Sequence, residues 1–393
     1  MQKFEKHSPV VVTEVTTKHE LRQFMQYPNR LYADNPNYIP SFYGDDLSDW
    51  TPGKNPAFDY CEARCWLAWR DGEIVGRIGA ILSHKANDKF GTHRMRFSQV
   101  DFVDDSEVSA ALFGTVERWA RQKGCDQVHG PLGFTDMDRE GMLVEGFDRR
   151  SLFITNYNAP YYPEHLTRLG YRKDVDWIEY RISVPAPGSA EAERLHKLSE
   201  FILKRKHLHV ATLHHKSEYG PFVRQVFELV NAAYAPLYGV VELSDEQIER
   251  YANKFIPLVD PDFVCFVLDE QDKLVAFGVT TLDPSPALKH SDGRLFPFGW
   301  AEVLNDLHHG DTLIMLLTAV RPDLQTEGIN AVMMDHVCQS CNRHGVQFAE
   351  TGPMLELNDH ILAQWKRLEK EQHKRRRCFI KDLDHGINAA NAA

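Results

Sequence analysis

The chain has 393 residues, too many for one ordinary core and enough for two domains of similar size. Apolar residues make up 43% and charged ones 26%, which excludes a disordered chain. With 45 Lys and Arg against 56 Asp and Glu the formal charge is −11, and that sign argues against a general nucleic-acid binder, because phosphate contacts need a basic face. No apolar run approaches the roughly 20 residues needed to cross a bilayer, so no membrane partner is expected. The opening MQKFEKHSPVVVTEV lacks the apolar core and cleavage site of a secretory signal. Seven cysteines, in no framework spacing, predict a reduced cytoplasmic protein.

VVVTEV (residues 10–15) reads as a strand, and Thr17 with Glu20 forms a capping box that opens a helix. The stretch from Cys65 to Leu82 gives two apolar runs around Asp71-Gly72, a hairpin signal. A strand over 96–103, a helix over 107–123 and a short strand over 126–131 follow. After a polar loop, a short helix near 164–169 leads to a strand over 177–184. The second half repeats this order. It runs strand 207–213, helix 222–235, a capping box at Ser244 and Gln247, and a hairpin over 263–282. Then come strand 311–320, helix 329–344, strand 346–353, a helix from Asn358 to about Lys370 and a strand near 377–380. PAPGSA (185–190) reads as the linker, so residues 1–187 and 188–393 are expected to form two α/β domains with mixed sheets. A helix over 190–206 is expected to bridge them.

LLTAVRPDLQTEGINAVMM (316–334) is the most informative stretch. A strand ends at Val320, a turn contains Pro322, and Gly328 sits where a helix begins. The free amides of a first helical turn and its dipole can hold a pyrophosphate, and Gly lets the backbone approach closely. Val320, Pro322, Gln325 and Gly328 here resemble the V-x-P-x-x-[QR]-x-x-G motif of the GNAT N-acetyltransferase superfamily. The element order of both halves resembles that fold too, in a tandem form like that of two-lobed bacterial members. The resemblance implies that Gln325, Thr326, Glu327, Gly328, Ile329, Asn330 and Ala331 face the pyrophosphate of acetyl-CoA or another acyl-CoA. It also implies that Leu317, Thr318, Ala319 and Val320 lie along the pantetheine arm. Two residues depart from the pattern: Asn330 replaces a small residue, and Glu327 puts a carboxylate beside the phosphates. The matching place in the first half, Val100–Phe113, has no glycine and carries Asp104, Asp105 and Glu107, so no CoA site is expected there.

Acyl transfer to an amine needs a neutral amine, a polarised carbonyl and a proton for the leaving thiolate. Glu350, at the end of a strand beside the expected thioester, is the candidate base, with Glu356 as an alternative. Family members often carry a Tyr seven residues after the Asn that matches Asn358, and here Trp365 occupies that place. Tyr161, Tyr162 and Arg139 are candidates for holding a small-molecule acceptor, with an aromatic core anchor and a solvated loop as the alternative readings. The insertion over 284–310, containing Phe298 and Trp300, is a candidate lid. No metal is expected: Cys338, Cys341, His336 and His344 share one predicted helix, which cannot wrap them around one ion. Lys374–Arg377 reads as a solvated helix–strand connection. The expected function is acyl-CoA-dependent N-acyl transfer, most simply N-acetylation. The alternatives are a degenerate scaffold, or transfer from a different donor. Oligomeric state is not set by the sequence.

Overall fold

A computed structural model of the chain describes residues 8–384, so the first seven residues of the stretch read for a signal lie outside it. The chain divides into two units: residues up to Asp176 together with those from Arg375 onward, and Trp177–Lys374. The expected boundary at 187 therefore moves inside a strand, and the chain's last strand joins the first unit.

Unit 1 contains β1 (Val11–Glu14), α1 (Lys18–Leu31), α2 (Tyr43–Asp49), β2 (Cys61–Arg70), β3 (Glu73–Ser83) and α3 (His84–Phe90). These are followed by β4 (Arg94–Phe102), α4 (Ser106–Gln122), β5 (Gln127–Gly130), β6 (Met142–Glu145), α5 (Tyr162–Arg168) and the start of β7 (Arg172–Ser183). Unit 2 continues with α6 (Ala190–Lys206), β8 (His209–Val210), α7 (Gly220–Tyr234), α8 (Asp245–Phe255), β9 (Val264–Leu268), β10 (Leu274–Leu282), α9 (Ser285–His290) and α10 (Gly299–His309). It closes with β11 (Thr312–Val320), α11 (Asn330–His344), β12 (Phe348–Thr351), β13 (Met354–Leu355), α12 (Asp359–Ala363) and β14 (Lys370–Asp382), whose later part belongs to unit 1.

The repeat read in the sequence is present in the sheets. Unit 1 is ordered β1-β2-β3-β4-β5-β14, and unit 2 is ordered β8-β9-β10-β11-β12-β7. In each, one pair is parallel, β4 with β5 and β11 with β12, because a helix carries the chain back over the sheet between them. The last strands are exchanged. β7 follows unit 1 in sequence yet pairs with β12, Ala349 opposite Ile182. β14 follows unit 2 yet pairs with β5, Ile380 opposite His129.

Helical periodicity builds each core. On α4, Val108, Leu112, Val116 and Trp119 fall on one face, are buried, and pack with Phe97 and Phe102 of β4. Each such side chain contributes about 1.5–3 kcal/mol when fully buried. On α11, Val332 and Met333 pack with Val275 and Ala276 of β10 and Ile202 of α6.

Two expectations fail near the C-terminus. The predicted helix over 358–370 is only the five residues of α12, and β14 begins at Lys370. The basic run is not solvated, since Lys374 and Arg376 are fully buried in β14. Lys374 meets Glu350 at 3.2 Å and Glu179 at 3.5 Å. Arg376 donates to the Asn156 carbonyl, and its neighbours Arg375 and Arg377 meet Asp176 at 3.1 and 2.7 Å. Paired in this way, a buried charge is tolerated where a lone one is not.

Candidate active site

In unit 2, β11 and β12 stay in register only from Thr312–Phe348 to Met315–Thr351. β12 then ends, whereas β11 runs on to Val320, so the two strands part. Beyond Met315 the β12-facing edge of β11 has no partner in that pairing. A cavity of about 180 Å³ opens there, against α11. Its wall is chiefly apolar: Met315, Leu316 and Leu317 of β11, Met333, Met334 and Val337 of α11, Ile182 of β7, Met354, and Trp365 with Leu368 beyond α12. Four of these are methionines, whose unbranched thioethers adapt to irregular apolar ligands. The polar groups on the wall include Tyr234, Thr280, Thr318, Asn330 and Thr351. The Tyr234 hydroxyl donates to the Thr318 carbonyl at 2.7 Å. Trp365, read as a replacement for an acid, does reach the cavity, but its indole N–H points to the Met354 sulfur at 3.2 Å.

The turn from β11 to α11 is the expected anion cradle. Gly328 has φ +81°, the left-handed region that favours glycine, and an added Cβ would meet Ile202 Cδ1 at 3.1 Å. The residue before α11, Ile329, gives the helix no side-chain cap. Gln325, Thr326, Glu327 and Gly328 are exposed along this turn, while Ala319, Val320 and Ile329 are buried and Ala331 is half-buried beneath it. Leu317, Thr318 and Asn330 line the cavity itself. Asn330, read as a departure from the motif, stands at the first position of α11 on the cavity wall. Glu327, read as a repelling charge, forms an ion pair with Lys206 of α6 at 2.6 Å, and that ammonium holds its carboxyl below the usual range.

The other candidates are placed differently. Alternation along β12 turns Ala349 and Thr351 to the cavity and Glu350 away from it. Glu350 instead belongs to the buried cluster with Lys374, and lies 3.6 Å from His373. Burial pushes its carboxyl up, against the pull of Lys374. Glu356 is half-buried beyond β13 and is not on the cavity wall. Tyr161 and Tyr162 do not face a ligand. Tyr162 is fully buried, stacks on Phe102 at 4.2 Å, and its hydroxyl meets Tyr32 at 2.6 Å and the Phe102 amide at 2.7 Å. The Tyr161 hydroxyl donates to the Phe102 carbonyl at 2.5 Å. Both phenols are thus spent on unit 1's core. Arg139 lies 3.5 Å from Asp46 on a polar cavity of about 40 Å³ in unit 1, which it shares with Arg77, Tyr38 and Asp101. That volume suits an ordered water rather than a substrate. The insertion over 284–310 lines neither cavity.

The sequence reading missed Tyr234, which ends α7, lies 84 residues before the Thr318 it touches and carries no motif. It also missed His129, Asp174 and Cys378, whose ligand atoms lie within 4.8 Å of one another in unit 1. Arg94 and Arg96 beside His129 already give that group positive charge, and no metal is assigned there.

No family model matches the chain. Over 383 residues it is 27% identical to Protein YghO of Escherichia coli strain K12, covering 95% of each chain. It is 28% identical over 299 residues to a bacterial ceramide synthase of Caulobacter vibrioides, covering 75% of each. Among solved structures, a tandem GNAT protein from the clavulanic acid biosynthesis pathway superposes with a TM-score of 0.53 at 13% identity, over 95% of this chain and 98% of that one. The parallel strand pair of each unit, the helix between its strands and the full-length superposition agree: this chain is built as two GNAT N-acetyltransferase folds in tandem.

Proposed function

We propose that unit 2 transfers an acyl group longer than acetyl from its CoA thioester to the amine of a lipid-like acceptor. The cavity between β11 and β12 carries this reading. Two carbons of acetyl would leave most of its apolar wall facing water, whereas an alkyl chain would cover it at a gain of about 0.8 kcal/mol per buried CH₂. The relative named as a ceramide synthase supports the same chemistry, since a ceramide is an N-acylated long-chain amine. In this reading the amide-bearing turn from Gln325 to Asn330 holds the CoA pyrophosphate, and the open edge of β11 polarises the thioester carbonyl.

The neutral amine nitrogen attacks that carbonyl, the C–S bond breaks, the nitrogen gives up its extra proton to water, and the departing thiolate takes a proton. Tyr234 is the proton donor we assign, because its phenol lies on the cavity wall; its hydrogen, donated at rest to the Thr318 carbonyl, would have to turn to the thiolate. Glu350 is left as a base only for an amine reaching the opposite face of β12. CoA chemistry and seven free cysteines both suit a reducing cytoplasm. The test is calorimetric titration with acetyl-CoA and palmitoyl-CoA, followed by transfer to a water-soluble alkylamine. Palmitoyl-CoA should bind at least about tenfold more tightly, and Met315→Trp should remove that preference while sparing acetyl-CoA. Equal affinity for the two donors would sink the long-chain reading.

A further inference from the structure

The insertion between β10 and β11 carries the most exposed aromatic side chains of the described residues. Phe296 is 81% exposed and Phe298 75%, in the turn just before α10. Trp300 at 47% and Leu304 at 42% follow one helical turn apart on α10, with Ala301 exposed beside them. α10 is already anchored on its other side, where Val303 and Leu307 are buried. The four apolar side chains are therefore not a core face that has lost its partner. The Trp300 indole donates to the Pro297 carbonyl at 3.2 Å, which ties the ring to the turn it shares with the two phenylalanines.

We infer that this turn and the outer side of α10 form a membrane-docking surface, which inserts into the interfacial layer of a phospholipid bilayer and brings unit 2 to acceptors held there. Three observations select a bilayer over a protein partner. At these exposures the four side chains leave on the order of 500 Å² outside the fold, short of the roughly 800 Å² that each partner of a stable protein complex buries. The residue types are those that settle at a lipid–water boundary, with Trp and Phe on the protruding tip. Glu302 is the only ionisable residue between Leu295 and Leu304, and His290 meets it at 2.7 Å. The exposed Asp292 and Arg294 border the turn, and their charges offset. In a chain with formal charge −11 this point thus presents a patch carrying little net charge of its own. No helix among the described residues is long and apolar enough to cross a membrane, so the contact is one of lying on the bilayer rather than spanning it. The inference rests on the reading that the acceptor is lipid-like, and it gives the insertion a task other than the lid expected of it.

The test is sedimentation of the full-length protein with vesicles of phosphatidylcholine, alone and mixed with phosphatidylglycerol. The wild type should partition onto both. Phe296→Ser/Phe298→Ser should lower the partition coefficient by about tenfold or more, with no change in melting temperature because neither ring is packed. A wild type that stays in the supernatant, or a double variant that binds as well as the wild type, would overturn the inference. So would a dimer that the double variant abolishes without any vesicle binding. Transfer to the water-soluble alkylamine, measured without vesicles, separates this result from the fate of the proposed reaction. Transfer without vesicle binding removes the docking surface alone, whereas vesicle binding without transfer supports the docking surface and counts against the reaction.

Discussion

The two units solve the same strand-to-helix junction in opposite ways. In unit 1 the chain leaves β4 through Asp104 and Asp105, and the Asp105 carboxylate caps α4 by accepting from the Glu107 and Val108 amides. Arg70 then bridges Asp105 at 2.5 Å and Glu107 at 2.6 Å. The helix supplies its own anion, which occupies two of its first-turn amides. In unit 2 the chain leaves β11 through a wider turn, Gly328 takes the left-handed conformation, and α11 begins with no side-chain cap. Both carboxylates of this turn are held by cations, Glu327 by Lys206 at 2.6 Å and Asp323 by Arg321 at 2.7 Å. One fold used twice thus yields one closed helix start and one open one, and the difference lies in whether an internal carboxylate occupies the amides.

Moving the closed solution into the open junction should have the largest effect. Gly328→Asp adds a carboxylate to the turn where the pyrophosphate is expected, and because its Cβ would press on Ile202 Cδ1 at 3.1 Å a melting curve must accompany it. Like charges about 4 Å apart near a surface repel by several kcal/mol, so calorimetry should show acyl-CoA affinity falling by about 100-fold. An unchanged affinity in a folded variant would move the donor away from this junction.

Opening the closed junction should cost stability and leave binding alone. Asp105→Ala removes a helix cap and should lower unfolding free energy by about 1–2 kcal/mol in urea melts, with acyl-CoA affinity unchanged. The pH dependence has a definite sign. Hydrogen bonding to Arg70 is the largest of the influences that hold the Asp105 carboxyl below its ordinary value. Its contribution is therefore fully present above the unfolded-state pKa, near 3.9, and is lost as pH falls through the lower folded-state value. The gap between wild type and Asp105→Asn should accordingly close on acidification. A gap constant down to pH 2 would assign the cap's effect to something other than charge.

The smallest effect should come from unmasking Glu327. Lys206→Ala frees that exposed carboxylate and should weaken acyl-CoA binding about threefold, and adding Glu327→Gln should restore it. If Lys206→Ala binds normally, the ion pair plays no part in keeping the junction open.

Much of the fold was legible because local rules set it. The capping boxes at Thr17 and Ser244 are present as read, with both reciprocal bonds formed. Gly345 closes α11 in the left-handed conformation, and both hairpins lie where their turns placed them. The turn at Gly328 was legible for the same reason, since a glycine between an apolar strand and a helix has few other uses. The site around it was less so. Glu350 was chosen for its place at a strand end, yet the two-residue alternation of β12 decides which side it faces, and Ala349 and Thr351 take the cavity side. Tyr234 was invisible because only the packing of α7 against β11 brings its phenol to Thr318.

What the sequence determined by itself is the main elements of the repeat and their order, because caps, turns and apolar periodicity act over a few residues. What only the tertiary structure decided is partnership. β7 and β14 read as ordinary terminal strands of their own halves, and nothing within them states that each joins the sheet built by the other half of the sequence. Lys374 and Arg376 read as a solvated basic run because a charged residue buries only against a partner. Those partners, Glu179, Glu350 and the Asn156 carbonyl, stand about two hundred residues away in sequence or across a strand pair. Backbone propensity is a local quantity, whereas the burial of charge and the choice of strand partner are settled by which distant segments meet.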